Sequence, residues 1–206
     1  TIMYSTEELY SEFTRFLSSN PFQDSPESLY APINYILNIG GKRIRPLLLL
    51  TAHQLFNPDI HHALPAALSV EVFHNFTLVH DDIMDRSELR RGHPTVHIKY
   101  DESIALLSGD VMSILSSRLM NQAPGVVLNL VHEVFTKTAM QVCEGQQLDM
   151  NFENHLEVSE EEYLHMIELK TAVLIAACLK SGALAGGADA VDSDLLYEFG
   201  RNLGIA

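Results

Sequence analysis

Apolar residues recur at three- and four-residue intervals along most of the chain, and nowhere alternate with polar ones over a sustained stretch. That pattern predicts helices rather than sheet. Ser5-Thr6-Glu7-Glu8 reads as a capping box opening a first helix through Leu9, Phe13, Phe16 and Leu17, which Asn20-Pro21 closes. Ser25-Pro26-Glu27 opens a second, with proline expected at the first helical position, running through Ile33, Ile36 and Leu37 to Gly40-Gly41. A third begins near Lys42, carries Leu47 to Phe56 and stops at Asn57-Pro58. The fourth is expected from about His61 to Met84 or Asp85, buried on most faces. A polar, arginine-rich loop follows from Asp85 to Pro94. Further helices are expected at about 101–120, 124–152 and 159–181, and from 192 onward, with Ser159 and Glu162 forming a second capping box. Short linkers and the lack of internal repeats point to one all-α bundle, a single domain over residues 1–206.

Composition narrows the function classes. The chain has 206 residues, with 13 Lys and Arg against 27 Asp and Glu, a formal charge of −14. A surface this acidic repels a phosphate backbone, which argues against general nucleic-acid binding. An anionic ligand would need a cation between it and the protein. Cys143 and Cys178 belong to no CxxC pair and read as buried free thiols in a reducing, cytoplasmic setting. The first ten residues lack the basic-then-apolar pattern of a signal peptide. The longest apolar runs, at 172–179 and 46–50, fall short of the ~20 residues that span a bilayer, so no membrane span is expected.

The strongest chemical signal is Leu78-Val79-His80-Asp81-Asp82-Ile83-Met84-Asp85. Asp81 and Asp85 are four residues apart and share a helix face about 6 Å apart along the axis. Like charges repel there, and the C-terminal end of the helix dipole disfavours anions. A hard cation such as Mg²⁺ would offset both costs, with water and substrate phosphates completing its shell. A solvated acidic helix end fits this motif about equally well when it is taken alone. Downstream, Arg90 and Arg91 offer forked donors matched to phosphate oxygens. Upstream, Gly40-Gly-Lys-Arg-Ile-Arg-Pro46 places three cations at a helix N-terminus, a poor location for them unless an anion joins. Lys42 and Arg45, three apart, are expected on one face. Two anionic ligands are implied, one held through metal by Asp81 and Asp85, the other by Lys42, Arg45 and Arg91.

GGKRIRP, then HDDIMD followed by LRRGHPTVH, then LLSGD, GQQLD and LKTA, in this order, resembles the trans-isoprenyl diphosphate synthases of the polyprenyl synthetase family. The resemblance runs from about Ser25 to the end of the chain. It implies an isoprenoid synthase-type helical bundle with a deep central cavity, normally a homodimer, and Mg²⁺-dependent head-to-tail condensation of an allylic diphosphate with isopentenyl diphosphate. By residue, it implies that Asp81 and Asp85 hold Mg²⁺, that Asp82 supports the motif and that Arg90 contacts the allylic diphosphate. Lys170 and Thr171 would face that diphosphate and the developing cation, with Gln146 and Asp149 lining the same cavity. Lys42, Arg45, His74 and Arg91 would bind isopentenyl diphosphate. Phe73, Phe76 and Thr77, one to two turns before Asp81, would form the cavity floor that sets product length, here C15–C20 with C20 slightly favoured.

The family's second aspartate-rich motif is expected just after a Gly-Ile-Ala-like segment, and this chain stops at Gly204-Ile205-Ala206. The expectation is therefore a domain incomplete at its C-terminus. Two alternatives stay open: a non-catalytic, prenyl-diphosphate-binding or regulatory subunit of the same fold, and a terpene cyclase, against which GGKRIRP speaks.

Overall fold

The computed structural model describes residues 3–153 and 157–206. Its helices are α1 (Thr6–Ser19), α2 (Glu27–Asn38), α3 (Ile44–Gln54), α4 (Leu64–Met84), α5 (Val96–Lys99), α6 (Glu102–Met120), α7 (Leu128–Phe152), α8 (Glu160–Ile167), α9 (Val173–Gly186) and α10 (Ala190–Ile205). The expected all-α bundle is what forms. Both capping boxes are made: Ser5 Oγ accepts from Glu8 N while Glu8 accepts from Ser5 N, and Ser159 and Glu162 repeat the arrangement. Asp101 caps α6 by accepting from Ser103 N and Ile104 N.

Boundaries shift where backbone chemistry intervenes. Proline 26 is the N-cap of α2, with Glu27 the first helical residue. Helix α3 starts two residues later than the pattern suggests. Gly40 and Gly41 take φ of 91° and 141°, and Arg43 follows at 51° in the left-handed region. Lys42 therefore lies in a turn and not on the helix that carries Arg45. His61 and His62 fall in a 3₁₀ turn, Ile60–Ala63, before α4. The expected 159–181 helix is interrupted by a π-helical turn, Glu168–Ala172, and then continues to Gly186.

The arginine-rich loop contains a hairpin, β1 (Leu89–Arg90) against β2 (His93–Pro94). Its two-residue turn, Arg91-Gly92, has positive φ at both positions, 53° and 78°, as a type I′ turn requires. Thr95 Oγ1 donates to Ser87 O and Tyr35 Oη donates to Pro94 O, bracing the hairpin against the bundle.

Helix α4 is buried on most faces, from Leu64 through Val79 to Asp82, and packs most extensively on α6. Helix α9 lies against α3, α7 and α10. Two helical stretches, Glu102–Met120 and Glu160–Gly186, are long and apolar enough to cross a membrane by length and composition, which the apolar runs alone did not reveal. In the second, 67% of the most apolar window is buried inside the bundle. A long core helix has that composition because it meets apolar neighbours on nearly all sides.

Candidate active site

One face of α4 presents His74, Thr77, Leu78 and Asp81 at helical spacing, and the adjoining face presents Phe76, His80 and Met84. Opposite stand Val142, Cys143, Gln146, Gln147 and Met150 of α7, with Lys170 and Thr171 of the π turn, Leu174 of α9 and Arg45 of α3. Together they enclose a cavity of about 350 Å³. Of the residues singled out from the sequence, Arg45, His74, Phe76, Thr77, Asp81, Gln146, Lys170 and Thr171 line it. Lys42, Phe73, Asp82, Asp85, Arg90, Arg91 and Asp149 stand outside its lining.

The π turn explains how Lys170 reaches the cavity. Its backbone lies directly on Gly145 of α7, where a Cβ would sit 2.3 Å from Lys170 N. Only glycine admits that approach, and π turns commonly mark functional positions. Lys170 Nζ then donates to Asp149 Oδ2 at 2.5 Å.

The acidic end is divided between two kinds of carboxylate. Asp82 turns away from the cavity and is 1% exposed, gripped by Arg90, whose Nε donates to Oδ2 at 2.7 Å and whose Nη2 donates to Oδ1 at 2.8 Å. Arg90 thus has its guanidinium partly committed to the protein. Asp81 and Asp85, among the described residues, have no ion-pair partner. Burial pushes the Asp81 carboxyl up to about 6, with Asp85 and Asp82 adding to the rise and Lys170 and Arg90 opposing it. A pair of hard oxygen donors with no direct ion-pair partner among the described residues fits a cation such as Mg²⁺. Among the described residues no group of three or more His, Cys, Asp or Glu is placed to hold a metal, so the pair provides only part of a coordination shell.

The basic end is a second, separate arrangement. Arg45 Nη1 lies 3.1 Å from His74 Nε2, and Arg45 Nε is buried with no partner among the described residues. Burial, then Arg45 and the other arginines, drive His74 down to about 2. The ring is therefore neutral and accepts from the guanidinium, leaving further Arg45 donors for an anion. Arg91 Nη1 donates to Gly40 O, and a Cβ on Gly41 would lie 2.5 Å from that nitrogen. The type I′ turn is what sends Arg90 and Arg91 in different directions, one to Asp82 and one to the glycine turn.

Three expectations change. Asp149, expected to line the cavity beside Gln146, stands outside its lining and pairs with Lys170. Phe73 is 2% exposed and sits behind Phe76, ring centroids 5.5 Å apart, with Phe135 against its other side at 5.5 Å. It backs the cavity wall and does not face the cavity. Cys143, expected buried, is exposed on the cavity face of α7, whereas Cys178 is fully buried with its thiol pushed up to about 12 by burial.

Other residues at the site had been given no role from the sequence. His80 packs on Phe76 at 4.9 Å and its Nε2 lies 3.2 Å from Leu106 O. Glu71 and Asn75 look like chance polar positions in an apolar helix, yet both are buried beside the basic turn. Their spacing of four on a core face was the available clue.

The polyprenyl synthetase family model matches residues 26–206. The geranylgeranyl diphosphate synthase of Methanosarcina mazei is 44% identical over 182 residues, covering 87% of this chain and 56% of the relative. That of Sulfolobus acidocaldarius is 40% identical over 203 residues, covering 97% and 61%. A crystal structure of a geranylgeranyl pyrophosphate synthase superposes with a TM-score of 0.95 at 45% identity, covering 98% of this chain and 62% of that one. The chain thus spans about three-fifths of the length of the relatives it matches. With the fold, the ordered motifs and the match over residues 26–206 in agreement, the chain belongs to the polyprenyl synthetase family.

Proposed function

We propose that the protein is a trans-prenyltransferase that condenses an allylic diphosphate with isopentenyl diphosphate to give a C15–C20 prenyl diphosphate. The observation that carries this reading is the cavity of about 350 Å³ whose lining holds Asp81, with no ion-pair partner among the described residues, and Arg45, whose Nε has no hydrogen-bond partner there. Such an arrangement suits two diphosphates separated by an apolar passage. Asp81 and Asp85 would hold a divalent cation such as Mg²⁺, which when bound would supply positive charge for the departing diphosphate. Lys170, placed beside Asp149, adds a fixed cation, and Arg90 brings its charge to the same end.

Arg45, with neutral His74 orienting it, binds the isopentenyl diphosphate together with Lys42 and Arg91. Phe76, Leu78, Val142 and Leu174 keep water from the allylic cation that the departing diphosphate leaves. The isopentenyl double bond attacks that cation, and a proton is then lost, with the released pyrophosphate as its acceptor. Thr77 leaves room beside Phe76, which limits growth of the hydrocarbon chain.

We also infer that two copies associate through α6 and α7. Leu107 and Ile114 on α6, and Leu130 and Met140 on α7, are 56%, 68%, 52% and 62% exposed, an apolar surface of the kind that partners cover. Light scattering on the purified protein tests this, a monomeric mass overturning it.

The catalytic reading is tested with labelled isopentenyl diphosphate, C5 to C15 allylic diphosphates and Mg²⁺, followed by product sizing. Elongated C15–C20 products support it. Binding of both diphosphates without product favours a non-catalytic subunit, and conversion of an allylic diphosphate alone favours a cyclase.

A further inference from the structure

Arg43 sits among the cations of the basic turn but is itself buried in the protein. It is 8% exposed, and its guanidinium donates to Glu71 on α4 through Nη1 and to the Leu37 carbonyl at the end of α2 through Nη2. Glu71 is 3% exposed and is held in turn by Asn75, whose Nδ2 donates to the Glu71 carboxylate at 3.0 Å and to the Glu71 carbonyl at 2.8 Å. These contacts join three segments: the end of α2, the glycine turn and the middle of α4. Arg43 is also the residue whose left-handed φ of 51° turns the chain into α3. Lys42 and Arg45 lie one residue before it and two residues after it, so its conformation sets where both begin. Glu71 is the carboxylate coupled electrostatically to Arg45 and Arg91 as well.

We propose that Arg43 is a positioning residue of the basic site: clamped by Glu71 and Leu37, it fixes the glycine turn so that Lys42, Arg45 and Arg91 converge on one anion, which Arg43 itself does not touch. The inference rests on the reading that those three cations hold a diphosphate. Physical chemistry gives it an unusual sign. Glu71 is a negative charge near an anion site, so on Coulomb attraction alone its removal tightens anion binding. If its role is to hold Arg43 in place, removal loosens binding instead.

The test is metal-free inorganic pyrophosphate titrated calorimetrically into wild type, Glu71→Gln, Arg43→Lys and Arg45→Ala, with kinetics for both substrates. Glu71→Gln keeps the volume and an acceptor oxygen, and Arg43→Lys keeps the charge but cannot span both partners. Both are expected to weaken pyrophosphate binding about tenfold, and to raise KM for isopentenyl diphosphate by a similar factor while that for the allylic diphosphate stays within about twofold. A purely structural defect would move both KM values together. Unchanged or tighter binding in Glu71→Gln overturns the proposal, as does failure of both variants to reach the native circular dichroism spectrum. Should Arg45→Ala leave pyrophosphate binding intact, the diphosphate reading itself fails. Loss in Arg45→Ala with none in Glu71→Gln or Arg43→Lys refutes positioning alone.

Discussion

Asp82 and Arg90 form a two-point ion pair in which both carboxylate oxygens are engaged, at 2.7 and 2.8 Å, beneath a cavity that Asp82 does not enter. The neighbouring carboxylates therefore have different work, and their substitutions separate.

Asp82→Ala strips a buried partner from Arg90 and is expected to cost about 2–3 kcal/mol of stability. Asp81→Asn has the opposite sign. Its carboxyl is raised to about 6 in the folded protein, so stability falls as pH rises from the unfolded value toward that point and stays lower above it. Replacing it should add on the order of 1 kcal/mol at pH 7 once solvent screening is allowed for, while abolishing metal-dependent diphosphate binding. Urea unfolding without divalent metal, paired with calorimetry in Mg²⁺, checks both.

Phe76 and Phe73 are likewise unequal. Phe76→Ala opens the cavity directly, and longer prenyl products are the expected outcome on sizing. Phe73→Ala removes a ring packed between Phe76 and Phe135, so a loss of about 3–5 kcal/mol in unfolding free energy is expected as its main effect.

Gly145→Ala places a methyl group on the backbone of the π turn. Overpacking of this kind costs about 1–3 kcal/mol. Because the turn carries Lys170 and Thr171, turnover should fall by far more than stability does, as steady-state rates measured well below the melting temperature will reveal.

His74 gives a pH signature. Its folded value of about 2 lies below the ordinary 6.5, so below pH 6.5 the unfolded chain gains a proton that the folded one refuses. Stability from this group is complete above pH 6.5 and declines as pH drops, by at most about 1.4 kcal/mol per unit. His74→Gln should flatten the decline between pH 7 and pH 5, and chemical denaturation of the two proteins at both values measures the difference.

Helix positions were legible because capping boxes such as Ser5–Glu8 and the apolar spacing of α4 are local properties. The start of α3 and the π turn were not, since each depends on tertiary contacts, Arg43 with Glu71 and Gly145 with Lys170, and the start of α4 is delayed by a 3₁₀ turn that Asp59 caps. At the site, Asp81, Arg45 and Lys170 could be picked out by charge and motif. The inward turn of Asp82 and the screened place of Phe73 could not, because one helix turn of sequence does not tell which of two adjacent faces meets a neighbour. Glu71 was missed for the converse reason: its spacing of four from Asn75 was a faint clue, and an acid in an apolar run gains its meaning only once Arg43 lies against it.

Phe76 and Asp81 stand on the same uninterrupted rod, α4, about 7.5 Å apart along its axis at 1.5 Å per residue. On the proposed reading, the two act as a measuring stick whose zero mark and end stop are cut into one piece. New calibrations then require only a different side chain at one notch, with no rearrangement of the bundle.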